Sequence, residues 1–212
     1  MSSGDARGDD VPDDDALAVE LARRAQRGDR EAFGRLAERF HAVVHGIALA
    51  HGPRREVRDL VQEVFLLALR SIGRLEDPKR FPGWLASIAR NAARDAHRRS
   101  RDARPNVRDA ARGAHDADPR VRALRGDSDG LADELVAPDQ PPHDDGEEAE
   151  RALAAVRSLP DAYRETLILR LVEGLSGPEI AARTGMTHGS VRVNLTRGMK
   201  LLRERLEREG PR

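Results

Sequence analysis

The chain has 212 residues and a formal net charge of zero, with 39% hydrophobic and only 3% aromatic residues. This length favours two small domains. The absence of cysteine excludes disulfides and thiolate zinc sites, and no apolar run is long enough to span a bilayer. The N-terminus also lacks the basic and apolar parts of a signal peptide, so the composition predicts a cytoplasmic protein without a membrane anchor.

The charges are segregated along the chain. Residues 1–15 carry a net charge of −5 and residues 103–148 carry −6, whereas residues 16–102 carry +7 and residues 149–212 carry +4. Two basic blocks favour two binding sites for a polyanion, although basic helical faces are more often simply solvated. We therefore expect a disordered acidic tail (1–15), a first domain (16–102), a flexible linker (103–148) and a second domain (149–212).

Helical spacing of apolar residues recurs in both basic blocks, and no segment shows sustained strand alternation. The predicted fold class is all-α, with an N-terminal helical bundle joined by the acidic linker to a C-terminal helix–turn–helix domain. In the first block, a short helix from Ala16 is ended by Gly28. A second helix starts near Asp29 and stops around His51-Gly52-Pro53, which is a strong breaker.

The third predicted helix carries a complete apolar stripe, whose members are Val57, Leu60, Val61, Val64, Phe65, Ala68, Leu69 and Ile72. Asp59, Gln62, Glu63 and Leu66 share the opposite face with Arg70. A solvated face needs no leucine, so Leu66 indicates a docking surface, although a single exposed leucine is also normal in a soluble protein.

A fourth helix begins after Pro78 or Pro82 and packs Trp84, Leu85 and Ile88 inward. Its outer side carries a polar and basic set, namely Arg90, Asn91, Arg94, His97, Arg98 and Arg101. Basic groups beside Phe81 and Trp84 suit single-stranded nucleic acid, because cations follow the phosphates and rings stack on bases. For Trp84 the alternative is burial in the core, with at most a partial role at DNA.

Residues 103–148 lack apolar periodicity. Their second half, residues 126–148, has nine acidic residues, no basic residue and three prolines. This composition cannot bury enough apolar surface to fold alone and predicts a flexible, extended linker.

Helical order resumes in the C-terminal block. After a short helix with Leu153 and Val156, Pro160 opens a helix that is predicted to bury Leu167, Ile168 and Leu171. Ser176-Gly177-Pro178-Glu179 is a capping box that starts a short helix ending near Gly185. A longer helix follows from Thr187 to about Arg208, with four residues predicted to face inward: Val191, Leu195, Leu202 and Leu206.

The stretch from Ser176 to Lys200 has helix–turn–helix anatomy, although an ordinary helical hairpin with a charged surface would look the same. In a helix–turn–helix protein the second helix enters the major groove, where Arg pairs with guanine and Asn with adenine. The outward residues of this helix are His188, Ser190, Arg192, Asn194, Thr196 and Arg197. Gly198 lies in the middle of the same helix, at a cost of about 1 kcal/mol relative to alanine.

These motifs together resemble the extracytoplasmic-function sigma factors. Region two of that family is matched by Gly28-Asp29-Arg30-Glu31-Ala32-Phe33, by Asp59-Leu60-Val61-Gln62-Glu63-Val64-Phe65, and by Trp84-Leu85-Ala86-Ser87-Ile88-Ala89-Arg90-Asn91 with Asp95 to Arg99. Region four is matched by Leu159-Pro160 through Arg170, by Glu173-Gly174-Leu175-Ser176 and by Glu179-Ile180-Ala181 onward. The resemblance covers about residues 16–102 and 149–208.

The resemblance implies a function and its residues. The surface that would bind the clamp helices of core RNA polymerase is formed by Asp59, Gln62, Glu63 and Leu66. The residues that would open and hold the downstream promoter element are Phe81, Trp84, Arg90, Asn91, Arg94, Arg98 and Arg99. The residues that would read the upstream element are His188, Ser190, Arg192, Asn194 and Arg197. The acidic linker would thread the polymerase cleft, and an anti-sigma factor is a further partner that the resemblance suggests.

Enzymatic chemistry is not expected. The chain has no phosphate-binding loop, and its seven histidines show no metal-ligand spacing, so we expect no catalytic residue, metal or cofactor. An alternative function is a helix–turn–helix regulator that never acts as a sigma subunit, which would leave the Asp59 face without a role. A third is a protein-interaction module that sequesters a regulator, against which the basic face from Arg90 to Arg101 argues.

Overall fold

The computed structural model describes residues 12–102 and 146–208, and within these ranges the chain forms α-helices and short 3-10 turns without strands. The helices are α1 (Pro12–Gln26), α2 (Arg30–His51), α3 (Val57–Ser71), α4 (Phe81–Asp102), α5 (Gly146–Arg157), α6 (Asp161–Leu171), α7 (Gly177–Thr184) and α8 (His188–Arg208). The predicted all-helical class is confirmed.

Two helices begin earlier than predicted. The first begins at Pro12 rather than Ala16, and α5 begins at Gly146, inside the expected linker. Both starts are rich in Asp and Glu, which stabilise the N-terminus of a helix but which composition alone assigns to a solvated segment. The rest of the acidic tail (1–11) and of the linker (103–145) lies outside the described residues.

Local signals fix both ends of α2. The Asp29 Oδ1 atom caps its start by accepting a hydrogen bond from the Ala32 backbone N–H at 3.0 Å, and Arg24 Nε donates to the other oxygen of Asp29 at 2.8 Å. Gly28 turns the chain just before the cap with a φ of 91°, which glycine adopts without steric cost. The helix ends at His51, the first residue of the predicted breaker.

The N-terminal helices pack around α2. The apolar stripe of α3 is buried as predicted, except that Leu69 is half-buried. Phe40 of α2 and Phe81 of α4 meet edge to face with ring centroids 5.2 Å apart, a geometry that contributes about 1 kcal/mol beyond burial. This core positions the outer faces of α3 and α4.

The C-terminal helices pack directly on this core. One apolar cluster contains residues of α1 to α4 together with five residues of the C-terminal block: Leu169, Leu175, Ile180, Ala181 and Val191. A second cluster joins Ala50 of α2 to Leu167 and Ile168 of α6. At Gly46 the approach is so close that a Cβ would lie 2.6 Å from Leu169 Cδ2. The two basic blocks of the sequence are therefore in close contact in the fold.

Two burial predictions in this block are wrong. Leu171 is 50% exposed and Leu206 is 42% exposed, whereas Leu169 is fully buried. Because α6 lies between α2 and α8, residues 165–169 are all buried, and a one-sided stripe does not describe such a helix. Leu206 lies in the last turn of α8, where its side chain is no longer covered.

Candidate functional site

The predicted docking face of α3 is accessible. Asp59 is exposed, and Gln62, Glu63 and Leu66 are partly exposed on the side opposite the buried stripe. Glu63 Oε2 lies 3.7 Å from Arg99 Nη2 of α4. The structure thus brings together the four predicted residues and sets the basic end of α4 beside them.

On the outer face of α4 the guanidinium groups of Arg94, Arg98 and Arg99 are exposed. Arg98 pairs with Asp95 at 3.0 Å on the same helix, while Asn91 is half-buried. Cations within two turns of one exposed helix face can contact the phosphates of a nucleic-acid strand.

The two aromatic residues expected at DNA have different positions. Phe81 is 1% exposed because its ring is part of the core, which corrects the expectation of an accessible ring. Trp84 is half-buried, with its ring centroid 5.8 Å from that of Phe81. Trp84 therefore combines core packing with a partly accessible surface, and its role at DNA stays a prediction.

Arg90 is not on the open face. Its Nε and Nη2 atoms donate hydrogen bonds to the two carboxylate oxygens of Glu165 in α6, at 2.9 and 2.7 Å. His51 Nε2, at the end of α2, donates to the same carboxylate at 3.0 Å. The helical period predicts that Arg90 lies on the side of α4 away from the N-terminal core. That side is covered by α6.

The charge of Glu165 depends on these partners. Its side chain and that of His51 are each 4% exposed. Burial acts to raise the pKa of Glu165, but the hydrogen bonds from Arg90 and His51 outweigh burial and lower it to about 2. Glu165 is therefore a buried carboxylate that stays ionised because two partners from the N-terminal helices surround it.

Further contacts join the end of α2 to the C-terminal helices. Arg157 donates to the carbonyls of Leu49 and Gly52 at 2.6 and 2.7 Å, and Arg164 donates to the carbonyl of Ala50 at 3.3 Å. These guanidinium groups satisfy carbonyls that the helix end leaves without an internal partner. A cleft of about 420 Å³ lies here, lined by His51, Arg94, His97, Arg157, Asp161 and Arg164.

His45 of α2 makes another contact of this kind. Its Nδ1 atom donates to Glu173 Oε1 at 2.6 Å, and this bond raises the pKa of His45 although burial acts in the opposite direction. His41 stacks on His45, and burial, followed by the neighbouring histidine, lowers the pKa of His41.

The helix–turn–helix forms as predicted. Ser176 Oγ accepts from the Glu179 N–H at 3.3 Å, and Glu179 accepts from the Ser176 N–H at 2.8 Å, which completes the capping box. The turn contains Gly185 with a φ of 74°, and Thr187 Oγ1 accepts from the Ser190 N–H at 3.1 Å at the start of α8. The outward residues of α8 are exposed at His188, Ser190, Arg192, Thr196 and Arg197 and half-buried at Asn194.

Sequence patterns do not reveal the contacts between the two blocks. Glu165 is the single acidic residue of the stretch Tyr163–Leu171, and its place next to an apolar run is the one hint that it needs a buried partner. His45, His51 and Glu173 carry no comparable signal. His45 pairs with Glu173 and His51 pairs with Glu165, and the partners in each pair lie more than a hundred positions apart in the sequence.

The described residues form neither a metal-ligand cluster nor a membrane-spanning helix. Among the residues that the structure describes, no group of three or more His, Asp or Glu is arranged to hold a metal ion. None of the helices in the described ranges is both long enough and apolar enough to cross a bilayer.

Comparison with known proteins identifies the family. Residues 36–103 match the family model of sigma-70 region 2, and residues 149–202 match that of sigma-70 region 4. RNA polymerase sigma factor CarQ of Myxococcus xanthus is 35% identical over 86% of this chain and 94% of its own. The ECF RNA polymerase sigma-E factor of Escherichia coli (strain K12) is 29% identical over 88% of this chain and 93% of its own.

A solved structure has the same fold. CnrH, in complex with the cytosolic domain of CnrY, superposes with a TM-score of 0.56 at 24% identity, over 92% of this chain and 99% of that one. Its likeness concerns the fold alone. On the family models and the sequence relatives, the chain belongs to the extracytoplasmic-function group of sigma-70 RNA polymerase sigma factors.

Proposed function

We propose that this chain binds core RNA polymerase in the cytoplasm, brings it to promoters and helps to open the DNA strands. The observation that carries the proposal is the set of three accessible polar surfaces on α3, α4 and α8. Each of these helices also carries buried apolar residues, which fix the orientation of its polar surface. This function needs binding and positioning but no covalent chemistry.

The α3 surface is proposed to dock on the polymerase. Asp59 and Glu63 supply negative charge, Gln62 supplies an amide, and Leu66 supplies an apolar contact at the same face. A mixed surface of this kind, with one apolar anchor among charges, suits a protein partner better than a nucleic acid. Such a partner would present complementary basic residues.

The α4 surface is proposed to hold the opened downstream strand. Arg94, Arg98 and Arg99 are exposed and can contact phosphates, and Asn91 and Trp84 are partly accessible for a base edge and a stacking contact. Phe81 supports this surface from the core rather than touching DNA. Arg90 can join the surface once it is released from Glu165.

The exposed side of α8 is proposed to read the upstream element. Its first turn presents His188, Ser190 and Arg192, which is the end of a recognition helix that approaches the base edges. Asn194 and Arg197 extend the surface along the helix. A regulator of the anti-sigma type is a further proposed partner, by analogy with the complex of CnrH.

Docking on polymerase separates this function from the alternative of a regulator that is not a sigma subunit. In the double variant Asp59→Arg/Glu63→Arg we expect an unchanged helical circular dichroism spectrum and loss of co-purification with core polymerase and of run-off transcription, because two charges are reversed at the docking face. The matched control is Glu38→Arg/Glu76→Arg, which reverses two exposed charges outside that face. Undiminished binding of the Asp59→Arg/Glu63→Arg variant to core polymerase would refute the assignment.

A further inference from the structure

One buried ion pair links the N-terminal and C-terminal helices. Glu165 of α6 accepts two hydrogen bonds from Arg90 of α4 and one from His51 of α2. The Glu165 side chain is 4% exposed and that of Arg90 is 20% exposed. A carboxylate at this depth is tolerated only when cations and donors compensate it. The arrangement is therefore stable only while α6 lies against α2 and α4.

The same contact occupies a cation that α4 would otherwise offer to DNA. Arg90 uses Nε and Nη2, which are the atoms of its bidentate fork, on the two oxygens of Glu165. A phosphate is bound by the same kind of fork, so Arg90 cannot make both contacts through these atoms at once. The other basic residues of this face stay exposed, namely Arg94, Arg98 and Arg99. Among these four arginines, Arg90 is the one whose availability to DNA depends on whether the C-terminal helices lie against α4.

The helix–turn–helix also lies close to the start of α4. Its turn residue Gly185 approaches Gly83 so closely that a Cβ on Gly185 would lie 2.9 Å from Gly83 Cα. Gly83 precedes Trp84, the partly accessible aromatic residue of the downstream surface. Separation of the C-terminal helices from α2 and α4 would therefore uncover the N-terminal end of the DNA-binding helix and free Arg90 together.

We propose that Glu165 is a principal polar contact that holds this sigma factor in the closed arrangement and that withholds Arg90 from promoter DNA until the two sets of helices separate. The consequence for DNA rests on the proposed function, whereas the closure itself does not. Polymerase or DNA shifts the equilibrium toward the open form by binding it more tightly than the closed form.

Closure is measured on the full chain, without polymerase or DNA. The chain has no cysteine, so Glu38→Cys in α2 and Arg203→Cys in α8, both at exposed positions, take a fluorophore pair that reports separation by energy transfer. Glu165→Gln keeps the shape of the side chain but leaves the Arg90 cation uncompensated. We expect the ratio of the open to the closed form to increase by about 100-fold or more. Binding to a forked promoter DNA should become several-fold tighter.

Two further variants make the test specific. Glu150→Gln removes the same charge from a contact with Arg54 that also joins the two sets of helices but is exposed, so closure and DNA binding should change by less than about fivefold. The double variant Arg90→Gln/Glu165→Gln pairs two amides and should restore much of the energy transfer that the single variant loses.

Each result bears on a separate part of the proposal. Unchanged energy transfer in Glu165→Gln with intact helical content would overturn the role of Glu165 in closure. Opening without tighter binding to forked DNA would overturn the withholding of Arg90. Core polymerase binding is measured alongside, and its absence in the wild type as well as in the variants would contradict the proposed function without affecting closure.

Discussion

At the scale of single residues, the hydrogen bond between His45 and Glu173 depends on a proton. The bond raises the pKa of His45, so the contribution of His45 to stability is fully present below its ordinary pKa near 6.5 and is lost as the pH rises through the folded value. Burial lowers the pKa of the stacked His41. The contribution of His41 to stability therefore changes with pH in the opposite direction, and it is lost as the pH falls through the folded pKa. A comparison with a His45 variant cancels the effect of burial on His41 and leaves the contributions that involve His45.

We therefore predict that the free energy of unfolding of the wild type, minus that of His45→Gln, decreases as the pH rises from acidic to basic values. The reason is that a neutral imidazole bonds Glu173 less strongly than an imidazolium does. Urea unfolding at pH values on either side of neutrality measures this difference. His188→Gln, at an exposed site, is the control. A difference for His45→Gln that is the same at every pH would contradict the prediction.

The outward residues of α8 differ in what they are expected to contact. Arg192 is exposed in the first turn, Asn194 is half-buried, and Arg197 is exposed further along. We predict that Arg192→Ala and Asn194→Ala each relax preference at particular upstream base pairs by about 1–3 kcal/mol, whereas Arg197→Ala weakens all sequences alike. Binding to upstream elements varied one base pair at a time measures both. If neither Arg192→Ala nor Asn194→Ala alters the preferred sequence, α8 does not read bases through these residues.

At the scale of elements, Gly198 determines how closely α8 lies on α6. A glycine in a helix interior is costly, and the sequence alone offers no reason for it. In the structure Gly198 is buried, and a Cβ there would lie 3.0 Å from Leu167 Cδ1 and 3.1 Å from Tyr163 Cβ. The lost helix propensity is thus offset by close packing of two helices.

We predict that Gly198→Leu destabilises the C-terminal helices by about 1–3 kcal/mol, because the added atoms overpack the α6–α8 contact. Gly189→Leu is the control, since Gly189 is exposed on the same helix with open space around its Cα. Thermal unfolding and hydrogen exchange of α6 amides report the effect. Equal stability of the two variants would show that the contact can expand without cost.

For several of these elements, sequence patterns are sufficient to predict where a helix begins, where it ends and which face it buries. The capping box of α7, the Asp29 cap and the breaker after His51 act within a few residues, so their geometry follows from local chemistry. The stripe of α3 is also correct because one side of that helix faces solvent. The pattern fails at Leu171 and Leu169, because α6 is enclosed by helices that come from distant parts of the chain.

At the scale of the whole molecule, a residue without a side chain lets the two sets of helices approach closely. Gly46 of α2 faces Leu169, and a Cβ would lie 2.6 Å from Leu169 Cδ2 and 3.1 Å from Glu173 Cγ. A larger residue fits there only if the Leu169 side chain shifts or α6 moves away. The change would leave the N-terminal core intact and would favour α2 itself, because glycine is a poor helix former.

We predict that Gly46→Leu separates the C-terminal helices from α2 while the N-terminal core stays folded. Small-angle scattering should show a larger radius of gyration, and α6 amides should exchange faster while amides within α2 keep their protection. Gly34→Leu is the control, because Gly34 lies on the same helix with no neighbour within 4 Å of an added Cβ. A particle as compact as the wild type would show that Leu169 can yield to the new side chain.

The sequence by itself determined the helical class, the course of α2 to α4, the helix–turn–helix with its caps, and the exposed faces of α3 and α8. These depend on periodicity and on capping over a few residues. The tertiary structure alone decided that α6 is enclosed, that Phe81 is buried and that Arg90 is paired with Glu165. Burial and ion pairing between α4 and α6 depend on which surfaces meet after the chain has folded, and residues 75 positions apart leave no periodic signal of that meeting.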